Sequence, residues 1–363
     1  MIRETFLSMS ASILVFIGAA FVMGTPQSDM KRLGERYIID SSYFRTSPNA
    51  IPLHSERIFP SIDDEKEGVY IGHAQSMSAD SAGLLYIPDD RNDEVLVFAE
   101  DGHLVRRFGR TGQGPGDFLM PIGIFCGPNF VLTREFQNMR FQFFTLTGKY
   151  LSGFRALKGY NPFLVAGDSI IAAPFQNPPQ GKKDASALIE IMDLKGRIQK
   201  SFGARLNVPT NSFQLLHWVR LALTSENRIV VAFCFFPILR LYSMEGELIR
   251  EIHTSSGIID KTVPINKEMI EVMNSGAQSP IGFVANEIFA DTDGIYLAVA
   301  APRRIEILLL NENGNIKEYY YRNLESAIGC SGLIVKKTPR GKRFFILRMY
   351  PQDCIEELRP GRD

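Results

Sequence analysis

One unit repeats along this chain, and the repeat restricts the possible folds more than any other feature of the sequence. The unit is an alternating apolar run, a turn that contains glycine, and a second alternating run. Alternation with period two is typical of β-strands with two different faces, and glycine supplies the positive φ that hairpin turns need. The clearest copy is EVLVFAEDGHLVRRFG at 94–109. The other copies lie at 141–154, 188–203, 239–252 and 305–321.

A second hairpin precedes each of these, so that the full unit has four strands. Its second strand starts with a turn residue and continues as an apolar run, at 83–90, 128–135, 167–174, 226–233 and 293–300. A sixth copy of this strand, GKRFFILR, occupies 341–348. Four-stranded antiparallel units that repeat at roughly 40–50 residues indicate a β-propeller. We therefore predict an all-β fold, a six-bladed β-propeller of four-stranded antiparallel blades.

The ends of the chain are predicted to share the last blade. After the inner strands of the sixth copy only CIEELRP remains, which is enough for one more strand. The segment SERIFPSI at 55–62 precedes the first blade and is predicted to supply the missing strand. Such a strand would close the ring and protect its edges. We predict a single propeller domain over 55–363, preceded by an N-terminal segment at 25–54.

An insert is predicted at 253–280, where the spacing between successive hairpins is longest. Asn266 is a candidate N-cap of a helix there, Met269 and Met273 share one face of it, and Gly276 is a candidate end. The helix is interpreted either as packing on the rim of the ring or as a lid or docking element.

The N-terminus carries an uncharged apolar run, ASILVFIGAAFVMG, of 14 residues. This length is typical of the hydrophobic region of a signal peptide, and we predict that residues 1–24 are a signal peptide. Extension of the run back to Phe6 gives about 20 residues, so an uncleaved N-terminal anchor is the alternative. The predicted location is the periplasm or cell envelope of a bacterium, with membrane contact only if the segment is retained.

Charge and cysteine content exclude several classes of protein. The 40 Lys and Arg residues balance the 40 Asp and Glu residues. A nucleic-acid partner needs a basic face, so none is predicted. No Cys-x-x-Cys pair is present, which excludes a zinc knuckle. In an oxidising compartment Cys330 and Cys354 could form a disulfide, and the alternative is that both are buried thiols.

Residues 85–124, LYIPDDRNDEVLVFAEDGHLVRRFGRTGQGPGDFLMPIGI, resemble the NHL repeat. That repeat joins a strand, a polar turn, a second strand ending before Asp-Gly, a third ending in Phe-Gly, and a loop rich in glycine and proline. The Phe-Gly ending recurs at 201–203, and elsewhere the similarity is limited to the strand-turn-strand skeleton. The resemblance implies an exported bacterial six-bladed propeller, and the NHL fold commonly serves as a binding scaffold.

The glycine-rich stretch at 107–124 is interpreted as a connector between two blades. A phosphate-binding loop would need its glycines to lead from a strand into a helix N-terminus. Here Pro115 and Pro121 intervene, and the sequence continues as a strand. The glycines are therefore expected to let the chain turn tightly from one blade to the next.

Connections between the second and third strands of a blade, and between successive blades, lie at the same end of the ring. We call this the loop-rich end, and we predict that it binds a protein or small ligand without catalysis and without a cofactor. Arginines in these connections are candidates to hold an anionic group, the alternative being ordinary surface salt bridges. The candidates are Arg91, Arg134, Arg140, Arg303 and Arg304.

The alternative function is a metal-dependent enzyme, lactonase- or lyase-like, with its site where the central channel opens at the loop-rich end. Similar six-bladed folds include lactonases that bind a divalent metal through carboxylates and an asparagine, and a lyase that binds its metal through histidines. Two histidines are predicted near the axis, and two do not complete a ligand set. The candidate ligands, should a metal bind, are His73, His217, Asp89 and Asp90.

Overall fold

A computed structural model of the chain describes residues 49–175, 187–206, 216–274, 281–324, 329–349 and 352–361. The described residues form 24 strands and two helices. Every neighbouring pair of strands within a blade is antiparallel, and each blade has four strands. The prediction of an all-β, six-bladed propeller is therefore confirmed. Residues 1–24, predicted as a signal peptide, lie outside the described residues.

The first three blades follow one another along the chain, and in each blade the first strand lies nearest the axis. Blade 1 contains β2 (Ser78–Ala79), β3 (Leu85–Asp89), β4 (Glu94–Phe98) and β5 (Leu104–Phe108). Blade 2 contains β6 (Pro121–Cys126), β7 (Val131–Glu135), β8 (Arg140–Phe144) and β9 (Tyr150–Arg155). Blade 3 contains β10 (Tyr160–Ala166), β11 (Ser169–Pro174), β12 (Ile189–Asp193) and β13 (Ile198–Phe202).

The last three blades complete the ring, and the sixth uses both ends of the described chain. Blade 4 contains β14 (Val219–Leu223), β15 (Ile229–Phe233), β16 (Ile238–Tyr242) and β17 (Leu248–His253). Blade 5 contains β18 (Glu287–Asp291), β19 (Gly294–Ala301), β20 (Arg304–Leu310) and β21 (Ile316–Asn323). Blade 6 contains β22 (Gly329–Thr338), β23 (Gly341–Met349), β24 (Cys354–Pro360) and β1 (Ile51–Phe59).

Strand β1 closes the ring as the fourth strand of blade 6, as predicted. It pairs antiparallel with β24 from Leu53 to Phe59. It begins at Ile51, four residues before the predicted start of the domain at 55. Its first two residues, Ile51 and Pro52, pair in parallel with Tyr320 and Tyr321 of β21, so that the sheets of blades 5 and 6 are continuous. The closing strand therefore holds two blades together.

Six clusters of buried apolar side chains lie between neighbouring blades, one for each junction. The cluster between blades 1 and 2, for example, contains Val95 and Val97 from β4 and Phe144 from β8, with Phe118 from the connector between them. The other five clusters join the remaining pairs of neighbours in the same way. Burial of apolar surface against both neighbours is what a single blade cannot achieve, and it explains why the repeat folds as a ring.

The turn glycines contact the preceding blade, which gives the Phe-Gly ending of the repeat a physical reason. A Cβ added at Gly148 would lie 2.5 Å from the ring of Phe108, which ends the fourth strand of blade 1. The same position in blades 1, 3, 4 and 5 meets Phe59, Phe154, Phe202 and Ile252, respectively. Glycine is thus required twice, for positive φ and for the close approach of the apolar side chain.

The insert between blades 4 and 5 contains helix α2 (Gly257–Asn274), and a shorter helix α1 (Ile62–Lys66) follows β1. The prediction that Asn266 is an N-cap is wrong, because α2 starts nine residues earlier. The buried carboxylate of Glu306 accepts hydrogen bonds from Ser256 Oγ (2.6 Å) and from the backbone N–H of Ile258 (3.0 Å). The side chain of Asn266 instead ties the middle of the helix to Phe235 and Gly282. Gly276 lies outside the described residues.

Cys330 and Cys354 are free, buried thiols, and their positions do not permit a disulfide. Cys330 of β22 pairs with Arg348 of β23, and Arg348 pairs in turn with Cys354 of β24. The two cysteines are therefore separated by a whole strand, which places their Cα atoms about 10 Å apart. A disulfide needs Cα atoms closer than about 7 Å. Among the described helices, none is long and apolar enough to cross a membrane.

Candidate functional site

The hairpin turns opposite the loop-rich end form what we call the turn end, and side chains in several of these turns accept hydrogen bonds from their own backbone. Asp193 Oδ1 accepts hydrogen bonds from the backbone N–H groups of Lys195 and Arg197, both at 2.9 Å. Asn311 and Ser243 make the equivalent contacts in their own turns. A side chain that accepts from the backbone two and four residues later stabilises a turn. Ion pairs between blades, such as that of Lys336 with Glu100, also lie at this end.

The glycine-rich connector between blades 1 and 2 lies at the loop-rich end and is held by side chains of blade 2. Arg140 donates to the carbonyl oxygens of Gln113 (2.7 Å), Gly114 (3.0 Å) and Asp117 (2.7 Å). Gln142 contacts the same loop at Gly116 N and Asp117 O. The interpretation of this stretch as a connector therefore agrees with its contacts.

Several buried polar atoms at the loop-rich end have no hydrogen-bond partner in the described part of the chain. Each belongs to a residue beside a connection between the second and third strands or between two blades. A buried polar group without a partner costs free energy, so such atoms mark places where a ligand or water completes the hydrogen bonding. The atoms are His73 Nε2, Arg134 Nε and Nη1, Trp218 Nε1, Thr254 Oγ1 and Arg348 Nε.

The five arginines predicted to hold an anion have three different environments. Arg91 and Arg303 are exposed on the loops of blades 1 and 5. Arg140 is occupied by the connector and by Glu135, at 2.6 Å. Arg134 and Arg304 are each 1% exposed. Because these residues belong to blades 1, 2 and 5, the structure does not show a single five-arginine clamp, and the role of each remains a prediction.

His73 lies in the connection that enters blade 1, beside the axis, and forms a hydrogen-bonded pair with a carboxylate. Its Nδ1 is 2.7 Å from Asp90 Oδ1, and Gln75 Nε2 donates to the other oxygen of Asp90 at 2.7 Å. Burial lowers the pKa of His73, but the hydrogen bond and charge of Asp90 outweigh burial, so that the pKa is raised overall. Since Nδ1 faces Asp90, the second ring nitrogen is the one available to a ligand.

Asp353 contributes a second carboxylate from blade 6 to the same place. Its Oδ2 accepts a hydrogen bond from the backbone N–H of Ala74 at 2.8 Å. Burial raises the pKa of Asp353 to about 6, and the negative charges of Asp90 and Asp89 act in the same direction. The junction of blades 6 and 1 therefore contains His73, whose pKa is raised, beside Asp353, whose pKa is raised to about 6.

The residues proposed as metal ligands do not fit a metal site. Asp89 is saturated, because its oxygens accept hydrogen bonds from Gly72 N, His73 N and three N–H groups of residues 91–92. His217 enters blade 4, on the opposite side of the ring from His73, and its Nε2 is 3.0 Å from the carbonyl oxygen of Leu206. In the ranges that the structure describes, no group of three or more His, Cys, Asp or Glu side chains is arranged to hold a metal ion.

Sequence reasoning missed Asp353 and Glu306. Asp353 lies in the loop between the second and third strands of blade 6, the connection that contains Asp90 in blade 1. The location in this connection was therefore a usable signal for Asp353. Glu306 lies in β20, in which Arg304 is the other charged residue and the remaining side chains are apolar, and only its contacts with the distant insert reveal its role.

Comparison with known proteins supports the fold. A family model described as 6-bladed beta-propeller matches residues 68–153, which cover blade 1 and most of blade 2. No curated protein matches this sequence.

Three solved structures share the architecture at low sequence identity. A protein from Bacteroides fragilis, named as exported, is 10% identical with a TM-score of 0.55, over 88% of this chain and 98% of that one. A DUF4221 family member from Bacteroides vulgatus is 10% identical with a TM-score of 0.54, over 87% and 100% of the two chains. The calcium-binding protein regucalcin from Agrobacterium tumefaciens is 11% identical with a TM-score of 0.54, over 87% and 98%. Identities this low concern the fold alone.

Proposed function

We propose that this chain is an exported, NHL-like β-propeller that acts as a non-catalytic scaffold and binds a protein or small ligand through its loop-rich end. The observation that carries the proposal is the set of buried polar atoms without partners at that end. At the turn end, by contrast, Asp193 and Asn311 accept hydrogen bonds from the backbone of their own hairpins. Unmet hydrogen-bonding capacity at one end is the property expected of a binding surface.

The frame around this end supports rigid presentation of the loops. Every junction between blades contains an apolar cluster, and the turn glycines fit against the preceding blade. Loops on a rigid scaffold bind with little loss of conformational entropy, because the scaffold is already ordered.

Export is part of the proposal and has two supports. The apolar run at 11–24 has the length of a signal-peptide core. A propeller of similar architecture from Bacteroides fragilis is named as exported. Fractionation of bacteria that produce the full chain tests export, and recovery of the protein in the cytoplasm at its full length would contradict it.

Photo-crosslinking tests which end binds. A benzophenone amino acid is introduced at Arg91 or at Arg303, which are exposed at the loop-rich end, and as a control at Lys195, which is exposed at the turn end. After irradiation in the producing bacterium, intact-mass analysis should show one defined adduct from positions 91 or 303 and none from 195. Adducts of equal yield from both ends, or no adduct from the loop-rich end, would contradict the proposal.

A second candidate is an acid–base enzyme, and the pair of His73 and Asp90 favours it. A carboxylate on Nδ1 with the other nitrogen available is the arrangement of a general base. The lactonase- or lyase-like alternative would use this pair at the opening of the channel, although the metal it was predicted to need lacks a ligand set among the described residues. The test is hydrolysis of a chromogenic lactone and elemental analysis of the purified protein. Turnover that His73→Gln abolishes, or one divalent ion per chain, would favour this candidate over the scaffold.

A further inference from the structure

Arg134 is a fully buried arginine that lies between blades 2 and 3, next to the loop-rich end. It is the fourth residue of β7 and is 1% exposed. Successive strand residues point to opposite faces. Glu135 therefore faces the connector of blade 1, where Arg140 contacts it, and Arg134 faces blade 3. The space around the guanidinium belongs to the junction that also buries Tyr160 and Phe163.

The guanidinium of Arg134 has no ion-pair partner among the described residues, although the charge of the neighbouring Glu135 acts to raise its pKa. In that part of the chain its Nε and Nη1 have no hydrogen-bond partner, and Nη2 contacts Met139 Sδ at 3.9 Å. The ring of Phe141 lies 5.7 Å from its carbon Cζ, a distance typical of a weak cation–π contact. Burial lowers the pKa of Arg134 to about 10, so that the side chain still carries its charge at neutral pH.

The carboxylates nearest to Arg134 are occupied by other groups. Glu190 accepts from Lys158 Nζ at 2.5 Å and from Tyr160 Oη at 2.6 Å. Glu135 accepts from Arg140, Asn138, Gln142 and the backbone N–H of Leu119. Neither carboxylate has a hydrogen bond with Arg134 in the described residues. A buried charge is normally paired, because removal of a charge from water is costly without a partner.

A second buried arginine of this protein, Arg304, does have an ion-pair partner. Arg304, also 1% exposed, contacts Glu306 at 2.8 Å and Asn323 at 3.0 Å, and it stacks on Tyr321 at 4.5 Å. Arg134 has the same fork of donors and has aromatic neighbours, but no carboxylate among the described residues pairs with it. The missing partner of Arg134 is therefore a planar anion of the kind that Glu306 supplies to Arg304.

We propose that Arg134 binds the carboxylate of an organic acid whose apolar part packs against the aromatic side chains of this junction. The inference rests on the proposed function, since it names the ligand class for one part of the loop-rich end. The connector between blades 2 and 3 runs past the guanidinium, since a Cβ added at Gly159 would lie 3.9 Å from Nη2 and 3.3 Å from the carbonyl oxygen of Phe175. Phe141, Tyr160 and Phe163 line the junction on the apolar side.

The test is titration of the full mature chain with sodium benzoate, followed by calorimetry and thermal unfolding at constant ionic strength. Benzamide is the neutral control, and inorganic phosphate and sodium chloride are the anion controls. Benzoate should bind saturably with one site and raise the melting temperature, whereas benzamide should not, because it lacks the charge that Arg134 needs. Stronger binding of phosphate than of benzoate would overturn the carboxylate assignment.

The matched variants are Arg134→Met, Arg134→Lys and, as a control at the turn end, Arg197→Met, because Arg197 is exposed there. Arg134→Met should weaken benzoate binding by about tenfold or more, since it removes a charge-assisted pair of hydrogen bonds. It should also melt no lower than the wild type, because it removes a buried charge without a partner. Arg134→Lys keeps the charge without the fork and should bind benzoate more weakly than the wild type, and Arg197→Met should bind it normally.

Two results would overturn the assignment: no saturable benzoate binding by the wild type, or unchanged binding by both Arg134 variants. In either case an internal water is the partner of Arg134. The photo-crosslinking at Arg91 and Arg303 does not use Arg134. If adducts form at the loop-rich end but benzoate does not bind, the carboxylate is not the ligand of Arg134, and the proposed function is still supported.

Discussion

At the turn end, Asp193 and Asn311 accept hydrogen bonds from the backbone of their own hairpins, whereas at the loop-rich end His73 and Arg134 keep buried nitrogen atoms without a partner among the described residues. Both ends belong to the same repeat and carry similar numbers of strand connections. They differ in the contacts that hold their loops. The turns of the turn end are held by side-chain to backbone contacts that span two to four residues, and ion pairs such as that of Glu100 with Lys336 join neighbouring blades there. At the loop-rich end a hydrogen bond from one loop to another joins Asp353 and Ala74, which are 279 residues apart.

The difference indicates that the two ends of the propeller have different roles. The hydrogen bonds within a turn form irrespective of what surrounds the repeat, so they suit the reversal of the chain between two strands. Long-range contacts depend on which loops the ring brings together, and they differ from blade to blade. The loop-rich end can therefore acquire a specific site without change to the repeat that builds the ring.

Replacement of Glu306 should produce the largest effect on stability. It tests whether only some polar groups at the loop-rich end lack partners, while others, such as the carboxylate of Glu306, are fully paired. Glu306→Ala would leave Arg304 without its ion pair and the first turn of α2 without its acceptor. We expect a loss of about 3–5 kcal/mol in the free energy of unfolding, measured in urea. Glu306→Gln, which keeps an acceptor, should lose less. A loss for Glu306→Ala below about 1 kcal/mol would contradict a structural role for this pair.

Gly148→Ala should be the most damaging of the small changes at the turn end. Gly148 has a φ of 89°, and the new Cβ would lie 2.5 Å from the ring of Phe108. Strain and overpacking together should cost about 2–4 kcal/mol. Gly167→Ala is the matched control, since Gly167 has a φ of 56° but nothing within 4 Å of an added Cβ. Equal losses in the two variants would show that the contact with the preceding blade contributes nothing.

Gly148 and the closing strand also show how much of the fold the sequence could predict, and why. The turn glycines repeat with the strands, and the requirement for glycine is local, so a single sequence is enough to reveal the pattern at Gly148. The closing strand could be predicted because a count of strands leaves the last blade one strand short. That strand has to come from another part of the chain, or the edge of the blade would stay exposed. Local pattern and counting were sufficient for the whole architecture.

Neither the local pattern nor the strand count predicted which contacts the residues of the loop-rich end make. Asn266 carries a local N-cap signal, yet the fold uses its side chain to hold Gly282, and α2 starts where Ser256 and Glu306 meet. Likewise, the candidate ligands Asp89 and Asp90 looked equivalent in sequence, but one is saturated by backbone N–H groups while the other holds His73. Contacts between residues far apart in sequence decide such differences, and one sequence does not display them.

A smaller, pH-dependent effect should come from Asp353. Its pKa in the folded chain is about 6, above the value of about 4 expected when unfolded. A raised carboxyl pKa means that unfolding releases a proton between these values, so the contribution of Asp353 to stability falls as the pH rises from about 4 to about 6. Relative to Asp353→Asn, the wild type should lose about 1–2 kcal/mol across this window and stay lower at pH 7. Parallel stability profiles for the two proteins would show that burial does not perturb this carboxyl.

Asp193→Ala should give the smallest effect and the cleanest separation of the two ends. The variant removes two side-chain to backbone hydrogen bonds of one turn and an exposed ion pair with Arg197 at 2.6 Å. An exposed ion pair contributes little, so we expect the melting temperature to fall by about 2 °C or less, mostly through the turn. Asp193→Asn keeps the acceptor and should recover most of that loss. Because the proposed binding surface lies at the loop-rich end, adduct formation at Arg91 and Arg303 should be unchanged in Asp193→Ala, and reduced adduct formation would show that the two ends are coupled.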